Sequence, residues 1–130
     1  MKIKLLFLIL LVSTAVFSQN KTADSLVIIL NKSKNDLDKA TLLNAIATAY
    51  MSSDPKLMQD YAAKALDLSQ KIKFKIEEGN AYLNLGNASI IQGNYPVALE
   101  NFLNAQTVFE SQLNTDAAKN ESVKNGLARS

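Results

Sequence analysis

The sequence predicts an all-α fold made of antiparallel helix hairpins, and three observations predict it. Apolar residues recur at helical spacing along the chain from about residue 22 onward. No run of alternating β-branched residues, the signature of a strand, occurs. A block of that spacing also returns at an offset of 39 to 40 residues, so the hairpin is a repeated unit.

Each helix has its own stripe. Leu26, Ile29, Leu30 and Ser33 mark the first, over 22–34. Leu43, Ile46, Ala47 and Tyr50, at i, i+3, i+4 and i+7, predict a helix over 37–52. Met58, Tyr61, Ala62, Ala65 and Leu68 or Ser69 predict 55–73, and Tyr82, Leu85, Gly86 and Ser89 predict 76–92. Ala98, Phe102, Ala105 and Phe109 predict 95–113, with a weaker helix from 116 onward. The chain's two prolines fall where helices should start. Asp54-Pro55 reads as an N-cap followed by the first helical residue, and Gly93-Asn94-Tyr95-Pro96 as a turn into a helix. Connections of two to four residues make neighbouring helices antiparallel.

The first stretch is expected to lie outside this domain. Lys2 and Lys4 form a basic start, Leu5 to Val12 is an unbroken apolar run, and Ala15-Val16-Phe17-Ser18 follows. That order fits a secretory signal peptide over 1–18, cut before Gln19. The competing reading is a membrane anchor, but the strictly apolar run is eight residues long and Ser13 and Thr14 interrupt it; a spanning helix needs roughly 20. The mature chain is therefore expected to be exported, periplasmic or secreted, with no stable membrane insertion.

Removing that leader changes the charge. The whole chain has 14 basic and 12 acidic residues, and the loss of Lys2 and Lys4 leaves 12 against 12. A neutral domain has no electrostatic footprint for nucleic acid. The absence of Cys rules out disulfides, thiolate chemistry and lipid attachment at cysteine, and the absence of His removes the commonest general base and zinc ligand. No Gly-rich phosphate loop, zinc spacing or nucleophile–base pair occurs, so no catalytic residue, metal site or cofactor is expected.

The repeat gives small residues a purpose. Leu43-x2-Ile46-Ala47-x2-Tyr50 overlies Tyr82-x2-Leu85-Gly86-x2-Ser89, and Met58-x3-Ala62-x2-Ala65 overlies Ala98-x3-Phe102-x2-Ala105. Ala47 and Gly86 occupy the same point of each first helix, and Ala65 and Ala105 match on the second. Small side chains there let paired helices approach closely, while Tyr82 and Phe102 fill the flanking gaps. A glycine inside a helix costs about 1 kcal/mol relative to alanine, so Gly86 needs such a packing reason.

Tyr82, Leu85, Gly86, Gly93, Tyr95, Ala98, Phe102 and Ala105 together resemble the tetratricopeptide repeat (TPR) family over residues 79–112. Residues 40–73 match less closely, with Ala47 for the glycine, Met58 for an alanine and Ala62 for the aromatic; Tyr50 keeps the family's aromatic position and Ser89 departs from it. The resemblance implies a short right-handed α-solenoid of two TPR-like hairpins over 36–114, an N-terminal capping helix over 19–35 and a C-terminal helix over 115–130. It extends to the exported N-terminal regions of bacterial sensor histidine kinases and transcriptional regulators. Gly126-Leu127-Ala128-Arg129-Ser130 resembles Gly79-Asn80-Ala81-Tyr82, the start of a first helix. The chain is accordingly expected to be a truncated piece stopping where a third unit begins; the other reading is a solvated capping helix.

The family binds extended peptides or helices of other proteins along the concave side. Matched positions are Thr41, Asn44, Thr48 and Met51 in the first unit and Asn80, Leu83, Asn84, Asn87, Ile90 and Ile91 in the second. Asparagine both donates and accepts, which suits peptide backbone groups; the alternative is that these are ordinary solvated positions in a chain with 13 asparagines. No Lys or Arg occupies the positions of a carboxylate clamp. Asp36 with Asp38 and Glu77 with Glu78 read as acidic residues favoured at helix starts, and Lys71, Lys73 and Lys75 as cations near a helix end. The expected function is a non-catalytic protein- or peptide-binding scaffold; the alternative is the sensory region of a larger signalling protein.

Overall fold

The computed structural model describes residues 21–127, so the leader expected over 1–18 and its cleavage point lie outside the described residues. The helices are α1 (residues 21–32), α2 (Asp36–Ala49), α3 (Pro55–Lys71), α4 (Lys75–Ile91) and α5 (Tyr95–Leu127), and the described residues contain no strand. No described helix is long and apolar enough to cross a membrane.

Local chemistry sets the helix ends. Asn35 caps α2 by accepting the Leu37 N–H at 2.9 Å, with Asp36 and Asp38 in the first turn. Asp54 caps α3 by accepting from the Lys56 and Leu57 N–H groups at 3.1 and 3.0 Å, ahead of Pro55. α3 and α4 both stop in Schellman geometry. Phe74 N–H donates to Ser69 and Lys73 N–H to Gln70; Asn94 N–H donates to Ser89 and Gly93 N–H to Ile90. The pivot residues sit at positive φ, 76° for Gly93 and 58° for Lys73. Lys73 is thus part of the turn, and Lys75 begins α4 and pairs with Glu78 at 2.8 Å rather than facing the end of α3.

Packing pairs run antiparallel between successive helices. Leu43 of α2, Ala65 of α3 and Ala81 of α4 form one buried cluster, onto which Leu30 of α1 packs. Ala47, Met58, Ala62 and Ala88 form a second, flanked by Tyr50, Tyr61 and Leu85. Much of this core is alanine: Ala40, Ala47, Ala62, Ala65, Ala81 and Ala88 are fully buried. Short side chains at the contacts let helix axes come together, because interaxial distance follows the size of the residues between them.

The α4–α5 contact uses glycine instead. A Cβ on Gly86 would lie 2.5 Å from Cε1 of Phe102, so the missing side chain makes room for that ring. Phe102, expected in a flanking gap, instead places its ring directly in the space that Gly86 leaves. Gly79, two turns earlier, receives the ring of Phe109 in the same way. Two glycines seven residues apart on one helix take two phenylalanines seven residues apart on the next.

One boundary differs from expectation. The helices read as 95–113 and from 116 onward are a single helix of 33 residues, about 50 Å long at 1.5 Å per residue. Thr115 and Asp116 fall where the break was expected, and both bond inside the helix. Thr115 Oγ1 donates to the Ser111 carbonyl at 2.9 Å, and Gln112 Nε2 donates to both Asp116 carboxylate oxygens at 3.1 Å. With neither Gly nor Pro between 95 and 125 except Pro96 in the first turn, nothing stops the ladder. Accordingly, no turn separates residue 114 from the start expected for a third unit near Gly126.

Candidate binding groove

α2 and α4 lie side by side and point the same way. Thr41 reaches Glu77, Asn44 reaches Glu77 and Asn84, and Thr48 reaches Asn84, a running offset of 33 to 40 residues. That parallel pairing opens a groove of about 420 Å³ lined by Thr41, Asn44, Ala45, Thr48, Met51, Glu77, Asn80, Leu83, Asn84 and Asn87. The six positions expected to contact a partner, Thr41, Asn44, Thr48, Asn80, Asn84 and Asn87, all border this one space. Met51 and Leu83 border it too, whereas Ile90 and Ile91 are exposed outside it.

The polar residues do two different jobs. Asn44 and Asn84 are 5% and 7% exposed and act between helices. Asn44 Nδ2 donates to the Glu77 carbonyl at 2.9 Å and to Glu77 Oε2 at 2.7 Å. Asn84 Nδ2 donates to Asn44 Oδ1 at 3.2 Å, and Thr48 Oγ1 donates to Asn84 Oδ1 at 3.2 Å. Every amide is oriented by this chain, since turning Asn44 over would set its oxygen against two acceptor oxygens of Glu77. Asn87 is half-buried and makes no side-chain hydrogen bond among the described residues. Asn80 is half-buried, with Nδ2 at 3.4 Å from Glu77 Oε2 and its oxygen unengaged.

Glu77 was legible as a helix-start residue and is indeed in the first turn of α4. Its place in the groove was not legible. It is 8% exposed and collects Asn44, Asn80 and Thr41, whose Oγ1 lies 3.3 Å from Oε1. The signal that could have found it was its offset of 36 residues from Thr41, just short of one repeat. Glu78, by contrast, points to the other side, where Lys75 and Gln70 hold it.

A larger cleft of about 530 Å³ lies between α1 and α2, lined by Ile29, Lys32, Ser33, Asp38, Thr41 and Leu42. Among the described residues it carries no polar network comparable to that of Asn44, Glu77 and Asn84, so the α2–α4 groove is the better candidate despite its smaller volume. Away from both, Tyr50 and Tyr61 stack at 5.8 Å between ring centroids. Burial raises the Tyr50 phenol above its ordinary pKa, and Tyr61, Asp24 and Asp54 add to the effect. The described residues contain no group of three His, Cys, Asp or Glu side chains able to hold a metal ion. Comparisons with protein-family models, with curated proteins and with solved structures find no match to this chain.

Proposed function

We propose that this chain is an exported, non-catalytic scaffold of TPR-like hairpins that binds an extended peptide or protein segment in the groove between α2 and α4. The single observation that carries the reading is the parallel pairing of α2 and α4 at an offset close to one repeat. That pairing is what stacked hairpins produce, and it sets equivalent faces of two helices into one concave strip. The strip suits a peptide: Thr48, Asn80 and Asn87 supply donors and acceptors at its edge, and Met51 and Leu83 supply apolar contact.

A photo-crosslinking residue at position 87 of the full chain, exposed to an array of short unstructured peptides, tests this. Crosslinks at 87 and none at a control position 110 on α5 are expected. Crosslinking at 110 alone, or at neither, overturns the groove as a binding site. Export is checked separately by expressing the full chain in a bacterium with an outer membrane. The envelope fraction should contain a protein whose intact mass begins at Gln19; a chain retaining Met1 in the inner membrane would replace the secreted reading with an anchored one.

A further inference from the structure

We propose that the groove seats a lysine or arginine side chain of the bound peptide, with the Glu77 carboxylate as its counter-ion. This inference rests on the peptide-groove reading above and adds the chemistry of the residue recognised.

Glu77 is 8% exposed, yet it borders the groove. The groups that meet it there are neutral donors: Asn44 Nδ2 at 2.7 Å and Asn80 Nδ2 at 3.4 Å to Oε2, and Thr41 Oγ1 at 3.3 Å to Oε1. They aim the carboxylate without neutralising it. Among the described residues, no Lys or Arg lines the groove. The nearest lysine in sequence, Lys75, is engaged with Glu78 at 2.8 Å, and the other ion pair among the described residues joins Lys39 to Asp36. Glu77 therefore has no cationic partner among the described residues. A carboxylate withdrawn from water without a counter-ion is costly, and a cation arriving from outside removes that cost.

The surroundings favour a long cationic side chain over a small ion. Met51 and Leu83 flank the groove and offer apolar surface for a methylene stem, while the charged end reaches the carboxylate. Asn80 and Asn87 remain at the edge for the peptide backbone on either side. A peptide whose central residue is acidic meets the same carboxylate as a repulsion, which makes Glu77 a selector as well as an anchor.

The test uses the full chain and four fluorescent peptides with identical glycine–serine flanks and a central Lys, Arg, norleucine or Glu, read by anisotropy. Lys and Arg peptides should bind at least about tenfold more tightly than norleucine, with Glu weakest, and the advantage should shrink as salt rises. Glu77→Gln should bring Lys and Arg down to the norleucine level. Asn80→Lys places an internal cation three residues from Glu77, and should remove the preference in the same way. Circular dichroism melts establish that each variant is folded, and Asn80→Lys decides the matter where Glu77→Gln is not. A folded variant that keeps the cationic preference overturns the proposal. Equal binding of all four peptides overturns it while leaving the peptide groove standing. Binding of none, with crosslinking at 87 also negative, overturns both.

Discussion

Lys73 holds a backbone conformation that glycine adopts at no steric cost, and Gly93 holds the same conformation at the equivalent point of the next turn. Left-handed φ costs a side-chain-bearing residue roughly 1 kcal/mol. Lys73→Gly should therefore raise stability by about 0.5–1 kcal/mol, and Gly93→Ala should lower it by about 1 kcal/mol, both read from urea midpoints. Gly86 tests opposing effects. Alanine there gains about 1 kcal/mol of helix propensity but drives a methyl into the Phe102 ring, and overpacking costs about 1–3 kcal/mol. Packing should win: Gly86→Ala is expected to destabilise, and Phe102→Leu should rescue part of that loss in a double-mutant cycle. An undiminished stability of Gly86→Ala would mean that the ring moves aside freely, and a loss that no change at position 102 relieves would mean that the ring is not its cause. Tyr50 supplies a pH dependence. Its phenol is raised above the ordinary value of 10.0, so its contribution is fully present below about pH 10 and is lost as pH climbs through the folded value. The unfolded chain gives up the proton first, so stability must fall with rising pH there, and Tyr50→Phe should flatten that part of the curve.

At the scale of an element, α5 is two helices in one. Its first half is clamped, with Ala98 and Ala105 buried and Phe102 and Phe109 seated against Gly86 and Gly79. Beyond Gln112, the described side chains are exposed, including Leu113 and Val123. A helix segment with exposed side chains is held chiefly by its own ladder and by i, i+4 bonds such as Gln112 to Asp116. Backbone amides of 113–125 should exchange hydrogen much faster than those of 98–109, as measured by mass spectrometry; equal protection would mean that exposure of these side chains does not loosen the helix. The α2–α4 pair shows the converse, an element interface made of polar groups. Asn44→Ala removes two donors from Glu77 and one acceptor from Asn84. Leaving buried acceptors unpaired costs about 1–3 kcal/mol, so the variant should melt lower by an amount in that range.

Across the whole molecule, helical content and helix order were legible because each helix carries its own apolar stripe and its own punctuation. Asp54-Pro55 and Gly93 did their expected work, one as a cap and the other as a pivot. That Gly86 has a packing partner was legible from one argument, the cost of a glycine in mid-helix. The same argument was open at Gly79, but near a helix start glycine is less conspicuous. The break expected near residue 114 does not occur, because Thr115 and Asp116 bond within the helix and no Gly or Pro interrupts its ladder. Residues of the groove were legible as positions, since the repeat offset aligns Thr41 with Asn80 and Thr48 with Asn87. Their division into buried links and open edges was not, because Asn44 and Asn84 look like any other asparagine until a second helix covers them.

The amino-acid order by itself determined the helices, their caps and the small residues that let them meet, since these depend on contacts within a few residues along the chain. The tertiary structure alone decided that Glu77 lies in the groove among neutral donors, that Phe109 fills the space over Gly79, and that the described side chains of α5 beyond Gln112 are exposed. Those facts depend on which side chains from distant segments share one volume, and burial of that kind has no local signature.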